Sequence, residues 1–83
     1  MTPHTATLSF SCSTEREAAV LATSVDREIG EIDDDRSRTR LERTGSTVEI
    51  TIDADDLTAL RAAANTWLTL VDVAERTSEI ASR

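Results

Sequence analysis

Three aspartates within four residues, Asp53, Asp55 and Asp56, stand directly ahead of a long apolar series, and this junction constrains the chain more than any other stretch. Acids placed there cap the free N–H groups of a helix and favour the positive end of its dipole, so a helix is predicted to start near Asp55 or Asp56. From there Leu57, Leu60, Ala64, Trp67, Val71 and Ala74 recur in steps of three and four, which lines them along one stripe that must be buried. Beside the stripe, Ala59, Ala62, Ala63 and Thr66 form a face of little bulk on which another backbone can come close. A helix of this kind can pack on two things at once. Leu60, Ala63, Ala64, Trp67 and Val71 are therefore the residues expected at a partner or dimer interface.

The preceding sequence supplies what the helix can pack on. Thr5 to Ser11 alternates polar with apolar, placing Ala6, Leu8 and Phe10 on one face of a strand. Ser13-Thr14-Glu15-Arg16-Glu17 offers a capping box, and Ala18, Leu21, Ala22, Val25 and Ile29 follow at helical spacing, with Gly30 as the expected stop. Arg36 to Arg43 again has period two, and Thr44-Gly45 reads as a tight turn into Ser46 to Ile52. That turn sets Leu41 against Val48, Thr39 against Ile50 and Arg40 against Glu49. Leu41, Val48, Ile50 and Ile52 then share the covered face, while Arg36, Arg38, Arg40, Glu49 and Thr51 line the open one. The order is β-α-β-β-α, and the economical arrangement is an α+β fold: a small antiparallel three-stranded sheet with two helices on one face.

The 83 residues make one domain, 1–83, with frayed ends expected at 1–4 and 78–83, and a chain this short has a modest core. Only Phe10 and Trp67 are aromatic, so a partner, in the first instance a second copy, is expected to supply further burial. The net charge is -7, from sixteen acids against nine bases, and every base is arginine. Acidic excess without lysine suits the cytosol of extreme halophiles. It speaks to solvent first and to partners second.

The same residues argue against a self-sufficient enzyme. His4 is the only histidine and is expected in a loose terminus, while Cys12 has no histidine near it in sequence and reads as an ordinary small side chain. No cysteine–histidine cluster is spaced for zinc, and Gly30 and Gly45 form no phosphate loop, so no metal or cofactor is expected. Asp33, Asp34 and Asp35 point different ways and read as a solvated connector. The N-terminus carries no basic region followed by an apolar run and no stretch approaches the length of a membrane span, so a cytoplasmic protein is expected.

What remains is binding. Arg36, Arg38 and Arg40 alternate along one strand, and the pleat aims them the same way, either as an RNA-contacting strip or as cross-strand partners of acids and protection for a sheet edge. Arg61 and Asn65, one helical turn apart among alanines, suggest a hydrogen bond to a neighbouring element or a partner. Trp67 fits a core or an interface anchor equally.

Leu60-Arg61-Ala62-Ala63-Ala64-Asn65-Thr66, preceded by Ile52-Asp53-Ala54-Asp55-Asp56, resembles the helix motif of the small scaffold subunit of the KEOPS complex, as found in archaea. Leu60, Arg61, Ala62, Asn65 and Thr66 match the motif, with Thr66 where serine is usual. The order and length of the elements agree over nearly the whole chain. The resemblance implies a noncatalytic subunit of the machine that forms threonylcarbamoyladenosine on tRNA: a homodimer whose helices bind the catalytic subunit and which helps hold tRNA. Two rivals stand beside it, an autonomous nucleic-acid-binding module using the arginine strip and a small-ligand-binding regulatory domain.

Overall fold

The computed structural model describes residues 4–81, with side chains as far as residue 76. Of the frayed ends expected at 1–4 and 78–83, residues 1–3 and 82–83 fall outside that range, while His4 lies in a strand and residues 78–81 lie in a helix. Five elements follow in the expected order: β1 (His4–Ser11), α1 (Glu15–Ile32), β2 (Ser37–Thr44), β3 (Thr47–Ala54) and α2 (Leu57–Ala81). The strands form one antiparallel sheet in the order β1-β3-β2, and both helices cover the same face.

Each element begins for a local reason. Thr14 caps α1 by accepting the Glu17 N–H at 3.0 Å, and the Glu17 carboxylate reaches back to the Ser13 N–H at 3.1 Å, which satisfies two otherwise orphaned donors. Asp56 caps α2 by accepting the Ala59 N–H at 2.8 Å, so the helix opens where the aspartates predict. α1 does not stop at Gly30. It runs on to Ile32 and ends at Asp33, whose extended backbone still donates its N–H to the Ile29 carbonyl. Gly30 keeps an ordinary backbone conformation, and Ile32 rather than the glycine closes the apolar stripe against the core.

The β2–β3 hairpin differs from its expected register by two residues. The turn is Gly45-Ser46, with Gly45 at φ +59°, so Thr44 faces Thr47 and Leu41 faces Ile50. A hairpin turn with positive φ at its first central position selects glycine there, which is why the loop shifts one residue along. A slip of two residues conserves the faces. Val48, Ile50 and Ile52 are buried under the helices and Leu41 is half-buried beside them, as expected, and Ala54 is buried too, while Arg38, Arg40, Glu42 and Glu49 lie on the open side. Arg40, however, faces Thr51, and Glu49 is opposite Glu42.

The core joins Ala18, Leu21 and Val25 of α1, Val48, Ile50 and Ile52 of β3, and Ala63, Trp67 and Val71 of α2. The central strand is thus fully covered, and Trp67 fills the middle of the layer. Burial thins toward β1: Ala6, Leu8 and Phe10 point at the helices but stay half-buried.

Candidate partner interface

The stripe that organises the sequence divides in two. Ala63, Trp67 and Val71 belong to the protomer's own core, with Leu60 and Ala64 half-buried at its margin. Leu57, read as part of the same stripe, is instead 45% exposed, and Leu68 is 47% exposed. Eleven residues separate these leucines, about three helical turns, so they share a flank of α2. Arg61 lies between them on that flank with Asn65 beside it, both exposed, and neither side chain has a hydrogen-bond or ion-pair partner among the described residues. The motif residues therefore sit on an outward surface with an apolar residue at each end. Thr66 and Thr69 return their hydroxyl protons to the carbonyls of Ala62 and Asn65, at 2.9 and 3.0 Å. The spacing of Leu57 and Leu68, one step round the helix from Trp67 and Val71, was the sequence signal for this second stripe.

The arginine strip is largely neutralised. Arg36 forms a charge-assisted pair with Asp56, and Arg40 reaches Asp53 at 3.2 Å across the diagonal. Asp53 also accepts a hydrogen bond from Thr5 Oγ1 at 2.9 Å. Among the described residues Arg38 has no carboxylate within ion-pair range. Within the strands, the open face carries Arg38 and Arg40 against Glu42, Glu49 and Asp53, two positive charges against three negative. Pairing, rather than a basic strip, is what this arrangement provides. The hydrogen bond from Arg36 and the bond from the Ala59 N–H hold the Asp56 carboxyl below the usual aspartate range, while the same pairing raises Arg36.

The acidic connector is engaged by hydrogen bonds. The Asp33 carboxylate accepts the Thr39 N–H at 2.9 Å and the Thr39 hydroxyl at 2.5 Å. Asp34 Oδ1 accepts the backbone N–H groups of Arg36 and Ser37 at 2.7 and 3.0 Å. Among the described residues no group of histidines, cysteines and acids is placed to hold a metal ion. His4, expected in a loose terminus, opens β1 opposite Ala54. Cys12 is half-buried, and burial, followed by the charges of Glu75 and Glu17, pushes its thiol pKa up, the opposite of an activated nucleophile.

The two edges of the sheet differ. The Ser37 and Thr39 N–H groups point away from β3, since they meet Asp34 and Asp33, so alternation sends the N–H and C=O groups of Arg38, Arg40, Glu42 and Thr44 to β3. Carried across β3, the same alternation turns the backbone of Thr5, Thr7, Ser9 and Ser11 outward from β1. That edge runs the length of the strand with no proline, lysine or carboxylate to blunt it.

A family model described as "Transcription factor Pcc1" matches residues 5–79. Among solved structures, a chain from the "Crystal structure of binary complex Gon7-Pcc1" is similar at a TM-score of 0.82, with 16% sequence identity, over 96% of this chain and 98% of that one. No curated protein matches. Among the described residues no helix is long and apolar enough to cross a membrane.

Proposed function

The chain belongs to the Pcc1 family, and from that premise we propose that it is a noncatalytic dimerisation and scaffold subunit of a KEOPS complex forming threonylcarbamoyladenosine on tRNA. The observation that carries the reading is the outer edge of β1. A complete row of outward N–H and C=O groups lies beside half-buried Ala6, Leu8 and Phe10, so an added strand gains hydrogen bonds and apolar burial together. A second copy docking its own β1 antiparallel yields a closed, isologous dimer with a continuous sheet.

The helices then remain available to the catalytic subunit. Leu57, Arg61, Asn65 and Leu68 supply an apolar-flanked outward face on α2, with Leu60 and Ala64 at its inner margin, and Val20 is an exposed apolar residue of α1. Trp67, Ala63 and Val71 support that face from beneath by fixing the helix on the sheet. The reading extends to a cytoplasmic, halophilic setting, on the strength of the lysine-free acidic composition. It needs no cofactor, because the subunit contributes position and not chemistry.

The family description also names a transcription factor, which favours the rival of a nucleic-acid-binding module. Its best anchor is Arg38, the arginine of the strip without an acid partner among the described residues. Two of the three strip arginines are paired and the face has an acidic excess, so contact with tRNA belongs to the assembled complex rather than to this chain alone.

Light scattering in concentrated KCl tests the proposal, with and without the catalytic subunit from the same source. The wild type is expected to be a dimer that takes up the catalytic subunit. Thr7→Pro removes an outward N–H that β3 does not use, and is expected to give a folded monomer. A monomeric wild type that ignores the catalytic subunit overturns the reading.

A further inference from the structure

The outer edge of β2 is as long as that of β1 but is already occupied. Its outward residues are Ser37, Thr39, Leu41 and Arg43. Asp34 takes both backbone groups of Ser37, accepting its N–H on Oδ1 at 3.0 Å and donating its own N–H to the Ser37 carbonyl at 3.2 Å. Asp33 Oδ2 takes the Thr39 N–H at 2.9 Å. Leu41 and Arg43 alone keep both outward groups, and an edge of two residues is shorter than the strands that pair stably in sheets. Both aspartates are held in place, Asp33 by closing α1 and Asp34 by its bond to the Arg36 N–H.

We infer that Asp33 and Asp34 form an edge lock that prevents strand addition at β2 and so confines sheet-to-sheet assembly to β1. The inference rests on the reading that β1 receives a second protomer. A dimer joined at β1 presents one β2 edge at each end of its sheet. If those edges could pair, every dimer would accept two more and the sheet would grow without closing, whereas a locked β2 edge ends assembly at two chains. The negative charge of the connector has a separate, weaker effect, repelling other copies only within a Debye length.

The test compares Asp33→Ala/Asp34→Ala with Asp33→Asn/Asp34→Asn by analytical ultracentrifugation at one fixed KCl concentration. Both pairs remove the same charge, but asparagine keeps an acceptor oxygen at each position. The alanine pair is expected to show a mass that rises several-fold with protein concentration, while the asparagine pair stays at the wild-type size. Adding Arg43→Pro to the alanine pair removes an outward N–H in the unlocked half of the edge and is expected to return it to wild-type size. Asp34→Ala alone leaves the Asp33–Thr39 bonds intact and serves if the double alanine variant fails to fold, with growth expected to be smaller in extent. A folded alanine variant that keeps the wild-type size overturns the lock, as does equal growth of the asparagine pair or growth that Arg43→Pro does not stop. The wild-type mass reads the β1 proposal independently: a monomeric wild type rejects dimerisation through β1 while growth of the alanine variant still reports on β2.

Discussion

Trp67 Nε1–H donates to Thr39 Oγ1 at 3.2 Å across the covered face of the sheet, and the same hydroxyl donates to Asp33 Oδ1 at 2.5 Å. This chain of bonds ties α2 to β2 and to the end of α1 through one buried hydroxyl. Trp67 is fully buried, so its N–H has no access to water as a substitute. Thr39→Val keeps the shape and removes both bonds, and is expected to destabilise the fold by about 1–3 kcal/mol, the cost of an unsatisfied buried donor. Chemical denaturation followed by the fluorescence of Trp67 measures the loss, and unchanged stability would show that the hydroxyl is dispensable.

Such a link was not readable in the sequence. Period-two and period-three-four patterns identified all five elements and put Val48, Ile50 and Ile52 under the helices, because those patterns report which face is buried. They carry no information about contacts between elements. Thr39 was therefore one of several polar residues in a basic strand, and Asp33 one of three acids in a connector. The hairpin illustrates the same limit: a two-residue slip leaves the faces intact, so only the preference of Gly45 for positive φ could select the register. On α2, the outer Leu57 falls into the core stripe read from the sequence, since Leu57 and Leu60 both satisfy helical spacing and only packing separates them.

Asp56 has two roles that two substitutions separate. It caps α2 through the Ala59 N–H and pairs with Arg36 at the start of β2. Asparagine retains the cap and loses the charge, while alanine loses both, so stability is expected to fall in the order wild type, Asp56→Asn, Asp56→Ala. The folded state holds this carboxyl below its ordinary range, so on acidification the unfolded chain takes the proton first. The contribution of Asp56 is whole above the ordinary aspartate range and disappears as pH falls through the lowered value. A pH series of denaturation midpoints checks this: the gap between wild type and Asp56→Asn should close in acid, and a gap independent of pH would remove the ion pair from the account.

Ala63 is buried between α2 and the layer beneath it, where extra side-chain volume has no room. Ala63→Leu is expected to destabilise the protomer by about 1–3 kcal/mol through overpacking. Leu68→Glu, on the outward flank, is expected to leave stability within about 0.5 kcal/mol of wild type, as exposed substitutions usually do. The proposed scaffold role adds that Leu68→Glu weakens capture of the catalytic subunit in a pull-down while the dimer persists. Equal capture by wild type and Leu68→Glu would move the interface off this flank.

Salt dependence follows from a comparison of two electrostatic effects that oppose each other. The three ion pairs among the described residues, Arg36–Asp56, Arg40–Asp53 and Arg76–Asp72, all have an exposed arginine, and pairs of that kind contribute little even in dilute buffer. Repulsion within a chain of net charge -7 acts over the whole molecule. At about 0.01 M salt the Debye length is roughly 30 Å, well beyond the 12.9 Å radius of gyration, so each acid feels most of the others; at 1 M it shrinks to about 3 Å and the repulsion is confined to neighbours. Repulsion therefore outweighs pairing, and lowering KCl is expected to destabilise the fold and to lower the thermal midpoint. Thermal melts from molar KCl down to dilute buffer measure the trend. A midpoint that holds or rises on dilution would mean that local pairs dominate and that the acidic surface is no adaptation to concentrated salt.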